Sequence, residues 1–356
     1  TSYPTYTLYY DLPNYPFYTC PLTQVNIGEN VQRIPDYFLL RSASTTINVS
    51  IPANNSLTYI GEEAFANCTG ITSVNLSNVE TIKNKAFYNC STLTEVTLST
   101  QLTTIGEKAF EGTSISEITI PSSVTTLGDY LFNNSTTLTT VNFNATNCTT
   151  SYYGPFGNAD AITNFNIGSS VQALPNKILS NCLSPNLQVN FLTPCSLTYI
   201  PEDAFDNCTG LQSIAIPVSV TSIGKNAFRN CHSLETVTIA ENSNLVTIAE
   251  YAFDNCTTLT SITIPAGVTS IGEYAFINCH SINNVVMAEN IQLDTISEKA
   301  FSYCSSLTTF TIPESVTYIG SRAFWGCAAL SAITIPENVT FIDYDAFQDC
   351  NNLATL

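Results

Sequence analysis

The sequence predicts an α/β repeat solenoid, a right-handed coil that stacks one parallel strand per turn. Two observations carry this. First, one phrase returns at 48-residue steps: "VTSIGKNAFRNC" from Val220, "VTSIGEYAFINC" from Val268 and "VTYIGSRAFWGC" from Val316. Second, the Phe of that phrase recurs at a shorter step, at Phe65, Phe87, Phe110, Phe132, Phe205, Phe228, Phe253, Phe276, Phe301, Phe324 and Phe347. Weaker copies place Phe17, Phe38, Phe156 and Leu179 in the same slot. A period of roughly 20–50 residues signals a stacked array.

Each unit reads in order from its Cys. In "CTTLTSITIPAGVTSIGEYAF" (Cys256 to Phe276), Leu259, Ile262 and Ile264 set a period-two pattern. That pattern with β-branched residues is a short strand. Pro265 ends it, because proline cannot donate to a ladder. Val268 and Ile271 follow, and Gly272 permits a turn. Glu273 to Asn278 is too short for a full helix and is expected to form one helical or 3₁₀ turn. A single such unit cannot bury its apolar side, so neighbours must stack. The strands are expected to form one parallel sheet on a concave face, with the helical turns on the convex face.

The strand pattern resembles the leucine-rich repeat signature. More narrowly, the Ile-Pro strand end, the Ile-Gly turn and the Ala-Phe-x-x-Cys close resemble the BspA-type leucine-rich repeat family. The match is strong over residues 57–120 and 197–356 and decays over 121–196. The resemblance implies a surface or secreted protein of mucosa-dwelling bacteria or parasitic protists, acting in adhesion to host cells and matrix proteins. The expected organisation is a Tyr-rich N-terminal cap at residues 1–16, then a single solenoid of about 15 repeats over 17–356. The last copy stops within a strand, at "CNNLATL".

Eleven of the thirteen cysteines sit three residues after the repeat Phe, including Cys68, Cys90, Cys208, Cys231, Cys256, Cys279, Cys304, Cys327 and Cys350. Thr113, Ser135, Ala159 and Arg41 replace it elsewhere, three of the four being small. Small residues in one slot point to a packed ladder of reduced thiols. Stacked equivalents project their Cβ atoms in parallel, which disfavours disulfides. Cys148 and Cys195 fall outside the ladder and are expected to be free. His232 and His280 lie two repeats apart, too distant to share a metal. No metal, cofactor or catalytic constellation is expected. Glu62, Glu107, Asp129, Glu202, Glu250, Glu273 and Glu298 stand three before the Phe, where they would cap the helical turn. Asn67, Asn89, Asn134, Asn207 and Asn255 stand two after it, where they would bond the turn backbone.

Composition narrows the partners. With 10 Lys and Arg against 28 Asp and Glu, the net charge is −18. That repels phosphate backbones and anionic lipid, so nucleic acid is not expected as a partner. No apolar run is long enough to span a bilayer. Only 11% of residues are charged, so the surface must be built from Thr, Ser and Asn.

Function is sought on outward strand positions, which core packing does not explain. The candidate concave face comprises Asn75, Glu95, Thr97, Glu117, Thr119, Asn142, Asn164, Asn166, Gln188 and Asn190, then Thr236, Thr238, Ser261, Thr263, Thr309 and Thr311. A candidate loop carries Tyr152 and Tyr153, where the motif is interrupted. The expected partner is a host or self protein, or a glycan, met at the cell surface or after secretion. The competing expectation is a structural array, a spacer or wall component that self-associates through an uncapped C-terminal end. Thr-x-Thr at 236–238 and 309–311 also raises ice binding, but Glu95 and Glu117 interrupt that lattice.

Overall fold

The computed structural model describes residues 15–17, 19–40, 46–52, 54–150 and 152–355. The expected N-terminal cap falls outside these residues, apart from Tyr15 and Pro16. The chain forms a parallel-strand solenoid. Its core is one continuous file of buried side chains from Ile27 to Ala346. In the unit quoted above, Leu259, Ile262, Ile264, Val268, Ile271, Ala275 and Phe276 are all buried, as the period requires.

Most coils contribute two strands rather than one; the coil of Asn164–Ile167 has only an isolated bridge at Ala173 in place of the second. The longer strand has up to four residues, as in Ser261–Ile264. A two-residue strand follows, as in Ser270–Ile271. Both pair in parallel with their equivalents one coil away: Ile262 faces Val285, and Ile248 faces Ile271. The second ladder is built from the Val-Thr-Ser-Ile segment, whose central residues have strand propensity but too little length to read as a strand.

The convex turns are not helical, and no helix occurs among the described residues. The reason is visible in Tyr274 to Cys279. Tyr274 and Asn278 both adopt left-handed backbone, at φ 59° and 60°. A left-handed residue every fourth position prevents propagation of a right-handed helix. The backbone N–H groups alternate instead. Tyr274, Phe276 and Asn278 donate to Glu298, Ala300 and Ser302 of the next coil, at 2.8–3.0 Å. Ala275, Ile277 and Cys279 donate three residues back within their own coil. Half of the convex backbone therefore serves stacking.

The Phe slot forms an aromatic file. Phe228, Phe253, Phe276 and Phe301 stack nearly parallel, with centroids 5.2–5.3 Å apart. One expected slot assignment shifts. Leu39, not Phe38, donates its N–H to Ala64, as Phe65 does to Ala86. Phe38 then sits one position early and meets Phe65 edge-on, at 76°.

The long strands do not make one sheet. Among the described residues they divide into five parallel ladders, and the short strands into three. Exit-loop length accounts for most of the divisions. Ile264 and Val268 are four apart, but Ile51 to Leu57, Phe191 to Leu197, Ile239 to Leu245 and Met287 to Leu293 each span six. The ladder is interrupted after the first, second and fourth of these, and after Ile239 only Thr236 and Ser261 remain paired. Two extra residues lengthen one side of the coil, so its strand no longer lies in register with the next.

Candidate interaction surfaces

The outward strand residues are placed by the period-two alternation, and the ladders decide which of them meet. Glu117, Thr119, Asn142, Asn164, Asn166, Gln188 and Asn190 share one four-stranded ladder. Within it a side-chain chain runs across four coils. Asn190 Nδ2 donates to Asn166 Oδ1 at 3.0 Å, and Asn166 Nδ2 to Asn142 Oδ1 at 2.9 Å. Asn142 Nδ2 closes the chain on Glu117 Oε1 at 2.8 Å. Asn142 and Asn166 each accept one of these bonds and donate another, Asn142 also reaching Thr119 Oγ1 at 3.4 Å, and Asn190 only donates. An amide has two donor hydrogens and two acceptor lone pairs, so capacity toward solvent remains.

Other candidates are separated from that group. Asn75, Glu95 and Thr97 lie in the two-stranded ladder Ser73–Leu76 with Glu95–Leu98. Thr236, Thr238, Ser261 and Thr263 belong to the next four-stranded ladder, and Thr309 and Thr311 to a further pair.

Clefts open where ladders end. One, about 630 Å³, straddles the strands Glu95–Leu98 and Glu117–Ile120. Its hydroxyls come from Thr97, Thr100, Thr119, Ser122, Ser169 and Ser170. A second, about 280 Å³, lies beside Gln188 and Asn190 where that ladder stops at Ser213. A third, about 550 Å³, follows Met287 and includes Thr311.

The candidate loop is rigidly mounted. Asp129, buried, accepts the N–H groups of Tyr153 and Gly154 on one oxygen, at 2.7 and 2.8 Å. Gly154 has φ 92°, and a Cβ there would lie 2.0 Å from the Lys177 carbonyl oxygen. Tyr152 and Tyr153 meet edge-on at 4.8 Å, and Tyr153 stacks on Tyr130. Lys177 Nζ lies 4.8 Å from the Tyr152 ring centre. Tyr152 is 72% exposed.

This aromatic and cationic grouping recurs along the slot two before the Phe, which sequence inspection missed. Tyr251 stacks on Tyr274 at 4.6 Å, with Lys299 over Tyr274. The missed signal was the ring or ammonium in that slot at Lys85, Lys108, Tyr130, Lys177, Tyr251, Tyr274 and Lys299.

Ladder cysteines point inward. Cys90, Cys208, Cys231, Cys256, Cys279, Cys304, Cys327 and Cys350 each donate Sγ–H to the carbonyl of the Phe-slot residue one coil before, at 3.0–3.3 Å. Cys68, at the head of this series, is buried too, and burial pushes its thiol up to about 12. None of the thirteen cysteines is in a disulfide, Cys148 and Cys195 included.

Two expected roles change. With no helix to cap, several of the carboxylates three before the Phe take separate partners. Asp129 anchors the 153–154 backbone, Glu250 pairs with Lys225 at 2.8 Å, and Glu298 accepts from Tyr274 Oη. The Asn residues two after the Phe bond one another instead of the turn. Asn89 donates to Asn67, Asn207 to Asn181 and Asn255 to Asn230. Asn134 donates to Glu111. Their left-handed backbone, which Asn tolerates, points these amides along the stack. His232 and His280 are exposed, and no group of three His, Cys, Asp or Glu side chains suited to a metal occurs among the described residues. Among the described residues no helix is long and apolar enough to cross a membrane.

A model of the BspA type leucine rich repeat region, six copies long, matches residues 10–139, 58–186, 184–292 and 239–354. The chain belongs to the BspA-type leucine-rich repeat family. Among solved structures, this BspA-type solenoid is similar to a leucine-rich repeat protein from Bacteroides ovatus. The identity is 29% and the TM-score 0.72, covering 94% of this chain and 86% of that one. A leucine rich cell surface protein from Faecalibacterium prausnitzii is 25% identical over the same shares, with a TM-score of 0.39. No curated protein matches the BspA-type chain.

Proposed function

We propose that this chain is the interaction module of a cell-surface or secreted adhesion protein, and that it holds a host-cell or matrix protein on the long-strand face. The observation that carries this reading is the Asn190–Asn166–Asn142–Glu117 chain. Side chains that fix one another before a partner arrives lose less entropy on binding. Nothing in the core requires them, since they point outward. The family membership supports a scaffold role, and solenoids commonly bind along an extended face.

The test is retention of the purified chain on epithelial cells and immobilised matrix proteins, against an inert solenoid of similar charge. Asn142→Ala with Asn166→Ala is expected to reduce retention at least about tenfold, or roughly 1.4 kcal/mol. Retention equal to the inert solenoid would refute the proposal. A second copy of the chain is the competing partner, favoured by the exposed Phe341 and Ile342. Sedimentation that depends on protein concentration would support that reading instead.

A further inference from the structure

We infer that the cleft between the strands Glu95–Leu98 and Glu117–Ile120 is a binding site for a neutral oligosaccharide. This ladder break differs from the others. The exit loop has ordinary length here, with Leu98 and Leu102 four apart. The unit is instead one residue short before the strand. Cys256 precedes Ile262 by six, whereas Thr113 precedes Ile118 by five.

The two coils stay joined on either side of the strands, and the strands part between the two joints. Ser114 N donates to Leu93 O at 3.0 Å just before the strands. Ser123 Oγ donates to Leu102 O at 2.7 Å just after them. Between these two bonds no ladder pairing joins the strands. Val96 and Leu98 are half-buried as a result, while their equivalents Val74, Leu76, Ile118 and Ile120 are buried.

The lining selects the ligand. Six hydroxyls and the Asn144 amide surround Val96, Leu98 and Pro121. A pyranose has the same composition, hydroxyl edges around an apolar C–H face. Glu117 is the sole charged group of the lining. Its Oε1 already accepts from Asn142, which fixes the carboxylate and leaves Oε2 to accept from sugar hydroxyls. A carboxylate accepting from hydroxyls makes charge-assisted bonds, about twice as strong as neutral ones. With no Lys or Arg in the lining, sialylated, sulfated and phosphorylated ligands are disfavoured. About 630 Å³ lies within the range that suits small ligands, and accommodates a few sugar rings.

The site shares Glu117 with the Asn chain of the proposed protein face, but its readout is separate, because it uses soluble sugars in the absence of cells. The full chain is applied to an array of neutral and acidic glycans, and the best neutral trisaccharide is titrated by calorimetry. Neutral glycans are expected to be retained and their acidic counterparts not. Glu117→Gln with Thr119→Val is expected to weaken the trisaccharide at least about fivefold without changing the melting temperature by more than a few degrees. Thr263→Val, on another ladder, is expected to leave affinity unchanged. Retention of no neutral glycan, preference for acidic glycans, or equal affinity in the Glu117→Gln/Thr119→Val variant would each overturn the assignment.

Discussion

Cys256 donates its thiol hydrogen to the carbonyl oxygen of Phe228, 28 residues earlier, at 3.1 Å. The same carbonyl accepts the N–H of Cys231 from its own coil. Both lone pairs of a buried carbonyl are thereby used, one by each of two coils. Cys256→Ala removes the inter-coil bond and leaves a small void, so stability should fall by about 1–3 kcal/mol. Cys256→Ser should cost less, because Ser135 already makes the equivalent bond to Phe110 at 3.2 Å. Urea midpoints of the two variants check this, and equal midpoints would contradict the hydrogen-bond account.

Burial pushes the thiols of Cys148 and Cys182 up to about 12, and those of Cys231 and Cys279 higher still. In the unfolded chain a thiol ionises near 8.5. Above that pH the unfolded state holds fewer protons than the folded state, so stability must fall as pH rises. The thiol contribution is fully present below about 8.5 and is lost progressively toward 12. Denaturation curves at pH 7, 9 and 10.5 should show a steady loss. A flat profile would mean the thiols are not protonated and buried together.

Gly272 allows its coil to approach the previous one, since a Cβ there would lie 2.5 Å from the Glu250 backbone nitrogen. Gly272→Ala should cost about 1–3 kcal/mol through overpacking against backbone. Ala249 fills the same slot one coil earlier, and Ala249→Gly should cost no more than about 1 kcal/mol. Thermal melts of the two variants give the comparison. Gly224, Gly272 and Gly320 are 48 apart, so close approach occurs at every second interface in this part of the stack.

Asp129→Ala leaves the Tyr153 and Gly154 N–H groups without their acceptor. Chymotrypsin should then cut first after Tyr152 or Tyr153, at least about tenfold faster than in the parent chain, as expected when local opening costs ~1.4 kcal/mol less. Mass spectrometry of the first fragments reads this directly. An unchanged cleavage pattern would show that the aromatic contacts alone hold the loop.

The repeat made the core legible. Phe276 and Cys279 could be read as rungs because buried slots tolerate few side chains, so the same residues must recur. The convex turn was misread because Glu273 to Asn278 is long enough for one helical turn and nothing in one coil forbids it. Only the next coil, by taking the N–H groups of Tyr274, Phe276 and Asn278, makes the left-handed backbone favourable. The short strand at Ser270–Ile271 was missed for the same reason, since two residues form a strand only when a neighbour pairs with them.

The candidate surface was partly legible. Alternation placed Glu117, Asn142, Asn166 and Asn190 outward, but their connection depends on register between coils, which alternation does not encode. The cleft at Thr97 and Thr119 was hidden further, because it arises from a single missing residue near Thr113. What the sequence by itself determined is the repeat, its buried rungs and the outward side of each strand, because periodic burial leaves a periodic record. What only the tertiary structure decided is where the stack is continuous and where it opens. Those outcomes depend on small differences in path length between neighbouring coils, compared across an interface that no single repeat contains.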